Sequence, residues 1–161
     1  MSTTQRQDTP QPSNEDFRHR FELAAPIDAV YEAIATGDGV RGWWTTDADI
    51  ATEVGGVSQV RFGGAGWTDL RVDRLERPHR IEWACVAQDN PNFNPNDEWV
   101  GTTISFELSE IEGSTGLELT HHGLGSLDCI DVCEAGWRHH VGQSLRKLVE
   151  RGEGRPLLNS A

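Results

Sequence analysis

The chain has 161 residues, 26 acidic against 14 basic, for a formal net charge of −12. That length suits one domain that buries roughly two-thirds of its unfolded surface. So negative a chain is a poor binder of phosphate backbones, which excludes nucleic acid as a leading partner, and no apolar run reaches the ~18 residues of a membrane span.

Lys147 is the only lysine, the other basic residues being arginine. GC-rich codon composition would produce this bias. So would adaptation to a salt-filled cytoplasm, where screening tames self-repulsion. Stability measured against KCl separates the two, because folding that ignores molar salt removes the second. Three cysteines, and a first stretch (MSTTQRQDTPQPSNED) without an apolar segment, point to a reducing cytoplasmic location. Cys129 and Cys133 fall one helical turn apart on neighbouring faces, which predicts a poor arrangement for a disulfide.

Residues 1–14 carry Ser, Thr, Gln and Pro without periodicity and are expected to form a flexible tail, with a domain over 15–152 and a C-terminal tail over 153–161. Phe17, His19, Phe21 and Leu23 alternate with charged residues, the pattern of a half-buried strand. Pro26 suits a first helical turn, and Ile27, Val30, Tyr31 and Ile34 follow at helical spacing, ended by Gly37 and Gly39. Residues 40–45, with Trp43–Trp44, read as a second short helical turn. Asp47–Thr52 is a weak strand. Val60 and Phe62 share a face beyond the Gly55–Gly56 turn. Residues 63–66 form a glycine-rich turn lacking the Gly-Lys-Ser/Thr ending of a phosphate loop. Residues 67–75 and 80–88 make the next pair of strands, with Ile81, Trp83 and Cys85 on one face. After a polar, proline-broken connection over 89–98, Val100, Thr102, Ile104, Phe106 and Leu108 alternate. Leu117, Leu119 and His121 do the same.

The last element organises the rest. Over Cys129–Arg151, Ile130, Cys133, Trp137, Val141, Ser144 and Leu148 fall on one stripe of a 3.6-residue helix ~34 Å long, stopped by Gly152 and Gly154. The stripe mixes an aromatic ring, a thiol and a hydroxyl with aliphatics, and so suits a cavity wall as well as a packed core. Consecutive strands joined by turns imply an antiparallel sheet whose apolar face this helix covers. The expected class is α+β: a curved sheet of six to seven strands wrapped round a long C-terminal helix, with two short helices after strand 1 and room for a cavity at one mouth.

At this point the chain resembles the START-like superfamily (SRPBCC, birch-pollen-allergen-like), in the branch of heat-shock protein 90 ATPase activator homologue domains. The matching residues are the Ala24–Ile34 segment, Trp43–Trp44, Gly55–Gly56, Glu98–Trp99, and Gly101–Thr102 leading to Phe106. Leu119–His121, Glu134–Trp137 and Ser144–Leu145 complete the set, which spans about residues 17–152. The resemblance implies a helix-grip fold with an internal, largely apolar cavity, and fixes fold better than function.

The cavity residues expected on this basis are Trp43, Trp44, Phe62, Trp83, Phe106, His121, Cys133, Trp137 and Val141. Tryptophan brings apolar area and one indole donor, which suits an amphipathic ligand. His121 and Glu134 are the candidates for proton transfer, although no carboxylate pair of fixed spacing supports a particular reaction. Strand parity also turns His19 and Cys85 inward. Without short-range ligand pairing, these residues and Cys133 predict no metal, and no cofactor is expected. The leading expectation is therefore a module, monomeric or homodimeric, that binds a small hydrophobic or amphipathic molecule between sheet and final helix. The alternatives are a cyclase- or dehydratase-type enzyme using the same cavity, and a co-chaperone-like interaction domain.

Overall fold

A computed structural model describes residues 16–127 and 129–157. The expected N-terminal tail lies outside the described residues. Strand β1 (Phe17–Leu23) buries Phe17, Phe21 and Leu23 on alternate positions, and α1 (Ile27–Ala35) buries Ile27, Val30, Tyr31 and Ile34 on one stripe. Helix α2 runs over Gly37–Trp43. Gly37 and Gly39, expected to end α1, instead open α2. The Thr36 hydroxyl caps the new helix by accepting from the Gly39 amide at 3.1 Å. A Cβ on Gly39 would sit 2.3 Å from the Ala33 carbonyl oxygen, so the glycine serves close helix–helix approach.

Six further strands follow: β2 (Ala48–Asp49), β3 (Val57–Arg61), β4 (Trp67–Glu76), β5 (Arg80–Asp89), β6 (Thr103–Ile111) and β7 (Ser114–His122). They form one sheet in the order β1-β7-β6-β5-β4-β3-β2, every neighbouring pair antiparallel. Val100, expected to start the sixth strand, lies in the turn before β6 and is exposed. Ile81, Trp83, Ile104, Phe106, Leu117 and Leu119 are fully buried on the concave face.

The β4–β5 ladder slips twice, between Asp69 and Leu70 and between Val72 and Arg74. The first slip leaves Val86 unpaired on β5. An extra residue in one strand bends the sheet and reverses inward parity beyond it. Cys85 and Gln88 are consequently both buried, although an unbroken alternation would turn Ala87 inward.

The C-terminal segment is one rod in direction but not in winding. Helix α3 (Ile130–His139) passes into a π turn (His140–Leu145) and then α4 (Arg146–Arg151). The widened turn buries Val141 together with both Ser144 and Leu145, whereas a straight 3.6-residue stripe takes only one of the last two. Gly142 lies in this turn against the Phe21 ring. Residues 153–157 then fold back on α2: the Leu157 amide donates to the Trp44 carbonyl at 2.9 Å, and the Thr46 amide donates to the Leu157 carbonyl at 3.0 Å.

Candidate ligand cavity

An opening of about 250 Å³ lies where β3–β5, the connection after β5, α3 and the returning C-terminal segment meet. Phe62, Thr68 and Gln88 line it from the sheet side, and Asn90, Phe93 and Trp99 from the connection. Helix α3 and the π turn contribute Val132, Cys133, Gly136, Trp137 and His140, while Trp44 and Leu157 close the remaining side. Five aromatic rings thus face one space. Trp44 packs on Phe62 at 5.6 Å between centroids and on Trp137 at 5.2 Å, and Trp137 stacks on Trp99 at 6.0 Å. A larger surface cleft of about 800 Å³, beside Gly42 and lined by Lys147, Arg151 and Arg155, presents no aromatic ring.

Of the nine residues expected at the cavity, Trp44, Phe62, Cys133 and Trp137 line it. Trp43, Trp83, Phe106, His121 and Val141 are buried behind that wall. Trp43 stacks under Trp44 and donates its indole N–H to the Ala33 carbonyl at 2.8 Å. Trp83 stacks on the same ring at 6.1 Å. His19 is wedged between Phe17 and Phe21 on β1, away from the opening. Cys85 is buried on β5, its thiol 3.8 Å from the Ala87 carbonyl and pushed up to about 12 by burial.

His121 is sealed. The Trp137 indole N–H donates to its Nδ1 at 3.1 Å, which assigns the ring proton to Nε2. Nε2 in turn lies 2.8 Å from the Thr102 hydroxyl, and that hydroxyl donates to the Trp99 carbonyl at 2.7 Å. Both ring nitrogens are thereby satisfied in a fully buried site, and burial drives the imidazole down to about 3. Glu134 lies on the half-exposed side of α3, 3.9 Å from Arg138, and does not line the opening.

Several lining residues escape sequence reasoning. Gln88 turns inward only because of the bulge at Val86. Its side-chain oxygen accepts from the Trp99 amide at 2.8 Å and its nitrogen donates to the Thr68 hydroxyl at 3.2 Å. This pair of bonds hangs the connection after β5, with Phe93 and Trp99, over the cavity. His140 enters from the π turn. Burial, and then the neighbouring His139, hold its ring down to about 4, and its Nδ1 is buried without a hydrogen-bond partner.

Trp99 also reaches the thiols of α3. Its indole N–H donates to Cys133 Sγ at 3.3 Å, and Cys129 Sγ lies 2.7 Å from Cys133 Sγ. The two cysteines, expected on neighbouring faces in a poor arrangement for a disulfide, are free thiols in direct contact. Cys129 is the residue before the helix, with φ −78° and ψ 2°, and its side chain tips onto the next turn instead of following the helical wheel. A second hollow of about 260 Å³, lined by Asn92, Phe93, Asn94, Glu98, Cys129 and Val132, adjoins the first across Phe93 and Val132.

A curved antiparallel sheet closed over a terminal helix, with an aromatic hollow between them, defines a helix-grip domain. The chain belongs to the family described as activator of Hsp90 ATPase homolog 1-like protein, whose profile matches residues 24–150. Among solved structures, the Aha1 dimer from Colwellia psychrerythraea is similar, with TM-score 0.73 and 30% identity over 86% of this chain and 98% of that one. Protein MLL2253 from Mesorhizobium loti shares the fold at TM-score 0.72 and 16% identity, over 86% of this chain and 98% of that one. DynU16, from the dynemicin biosynthetic locus, does so at TM-score 0.68 and 22% identity, over 87% of this chain and 49% of that one. No curated protein matches the chain.

Proposed function

We propose that this domain binds a small, flat, largely apolar molecule in the cavity between sheet and α3. The observation that carries this reading is the convergence of Trp44, Phe62, Phe93, Trp99 and Trp137 on one opening of about 250 Å³. Aromatic rings offer large apolar faces at little conformational cost, and a space edged by a few polar groups orients a guest. Gln88, Asn90 and the His140 ring are those groups. Binding is favoured over catalysis. His121 is enclosed by its own hydrogen bonds and Glu134 lies off the opening, so neither reaches a bound molecule.

Native mass spectrometry of the protein purified without detergent tests the reading. An adduct that departs on unfolding supports it. Bare protein, together with unchanged tryptophan emission across a panel of fatty acids and aromatic polyketides, contradicts it.

A second reading, stimulation of a chaperone ATPase, is supported by the family match and by the resemblance to an Aha1 protein. An ATPase assay with Hsp90 separates it, because a pure ligand carrier leaves the rate unchanged. A homodimer, the state in which that Aha1 relative was solved, would use an edge of the sheet at β1 or β2.

A further inference from the structure

Cys129 and Cys133 occupy the wall between the two hollows, Cys133 facing the aromatic cavity and Cys129 the second hollow beside Glu98. Both are free thiols and both are buried, yet each borders a hollow that a small solute can enter. Their sulfurs lie 2.7 Å apart, closer than unbonded neighbours normally rest and within an ångström of the ~2.05 Å of a disulfide. We propose that this pair is a hydroperoxide-reactive dithiol which closes to a disulfide in the cavity wall.

The surroundings assign different roles to the two sulfurs. Cys133 accepts the Trp99 indole N–H at 3.3 Å, a donor that stabilises negative charge on its sulfur. The two sulfurs share one hydrogen bond. That bond holds the Cys133 thiol below the ordinary range against the effect of burial, while the same bond, burial and Glu98 push Cys129 up. Cys133 is therefore the attacking thiolate and Cys129 the resolving thiol.

The chemistry balances in two steps. Cys133 Sγ attacks the hydroperoxide, an S–O bond forms, the O–O bond breaks, and the alkoxide leaves with a proton as the alcohol. Cys129 Sγ then attacks the sulfenic sulfur, the S–S bond forms, and hydroxide leaves with the Cys129 proton as water. Two thiols lose one electron each, and the two peroxide oxygens gain one each, leaving as the alcohol and as water. The Trp99 N–H loses its thiolate acceptor in the process, and Trp99 stacks on Trp137, so closure reshapes the side of the cavity formed by these rings. Cys85 supplies an internal control: it is buried on β5 and is placed in neither hollow.

Exposure of the intact protein to tert-butyl hydroperoxide, followed by alkylation under denaturing conditions and peptide mapping, tests this. The expected product lacks two hydrogens, carries a Cys129–Cys133 link, is alkylated only at Cys85, and reverts with dithiothreitol. Cys129→Ser should accumulate a dimedone-trappable sulfenic acid at Cys133, whereas Cys133→Ser should trap none at Cys129. Should a variant fail to fold, phenylarsine oxide with the unaltered protein replaces it: one arsenical per chain, protecting both cysteines from alkylation, is expected. Three alkylatable thiols after peroxide, a link through Cys85, or cysteines left unprotected by the arsenical would overturn the proposal.

Discussion

The indole N–H of Trp137 donates to Nδ1 of His121 across 3.1 Å, joining the terminal helix to the central sheet through a neutral imidazole. His121 lies on β7, directly opposite Ile104 of β6, with no exposure to solvent. A ring so enclosed contributes packing and two satisfied hydrogen bonds while uncharged. Charged, it would be an isolated cation in an apolar interior, at large cost. Three elements (β7, the turn before β6, and α3) therefore meet at a group that must stay deprotonated.

The pH dependence of stability follows. Folded His121 titrates near about 3 and His140 near about 4, against an ordinary 6.5 in the unfolded chain. Between those values and 6.5 the unfolded state binds more protons, so stability rises with pH across that window and levels off above it. Each histidine contributes a slope of up to about 1.4 kcal/mol per pH unit. Urea midpoints at intervals from pH 4 to 8 check this. A flat profile below pH 6.5 contradicts it, and His121→Gln should flatten it in part.

Trp137→Phe keeps a ring in the aromatic cluster but removes the donor to His121 Nδ1. A buried acceptor left without its partner costs roughly 1–3 kcal/mol. The variant should therefore unfold at lower denaturant, and the His121 ring should shift in NMR titration. A stability equal to wild type would show that the bond is dispensable.

Gly142 and Gly136 stand on the same helical segment and should respond to alanine with opposite signs. A Cβ on Gly142 would meet the Phe21 ring at 2.7 Å, whereas one on Gly136 meets nothing within 4 Å. Gly142→Ala gains ~1 kcal/mol of helix propensity but overpacks a buried ring, for a net loss on the order of 1 kcal/mol. Gly136→Ala should gain up to about 1 kcal/mol. Thermal melts of the two variants decide it.

Gln88→Leu should leave the Trp99 amide and the Thr68 hydroxyl without their partners. The connection over 90–102 loses its anchor, and its amides should exchange faster with deuterium while those of β6 and β7 stay protected. Uniform protection would show that the connection holds itself.

The order of elements, the inward faces of β1, β6 and β7, and the terminal stripe through Cys133 and Trp137 were all legible, because each rests on an unbroken period of two or 3.6 residues. What stayed hidden lies where a period breaks. The bulge at Val86 turns Gln88 inward, the π turn sets Ser144 and Leu145 on one side, and the non-helical backbone of Cys129 tips its thiol onto Cys133. Phe93 and Trp99 sit in a proline-broken connection, where no periodicity says which way a side chain points. The adjacent Trp43–Trp44 pair carried a usable signal, since two neighbouring rings rarely face the same way. Here Trp44 reaches the opening while Trp43 is buried beneath it.

A single substitution bears most directly on the ligand cavity. Gly136 lines the opening and has free space ahead of its missing side chain, so Gly136→Leu plugs the cavity from a helix that tolerates leucine. Titration with 1-anilinonaphthalene-8-sulfonate, followed by probe emission and tryptophan quenching, should give saturable one-to-one binding to the wild-type chain. Affinity should be at least about tenfold weaker for Gly136→Leu, a difference of ~1.4 kcal/mol, with unchanged far-UV circular dichroism. Equal affinity in the two proteins, or no saturable binding to the wild type, would contradict the account.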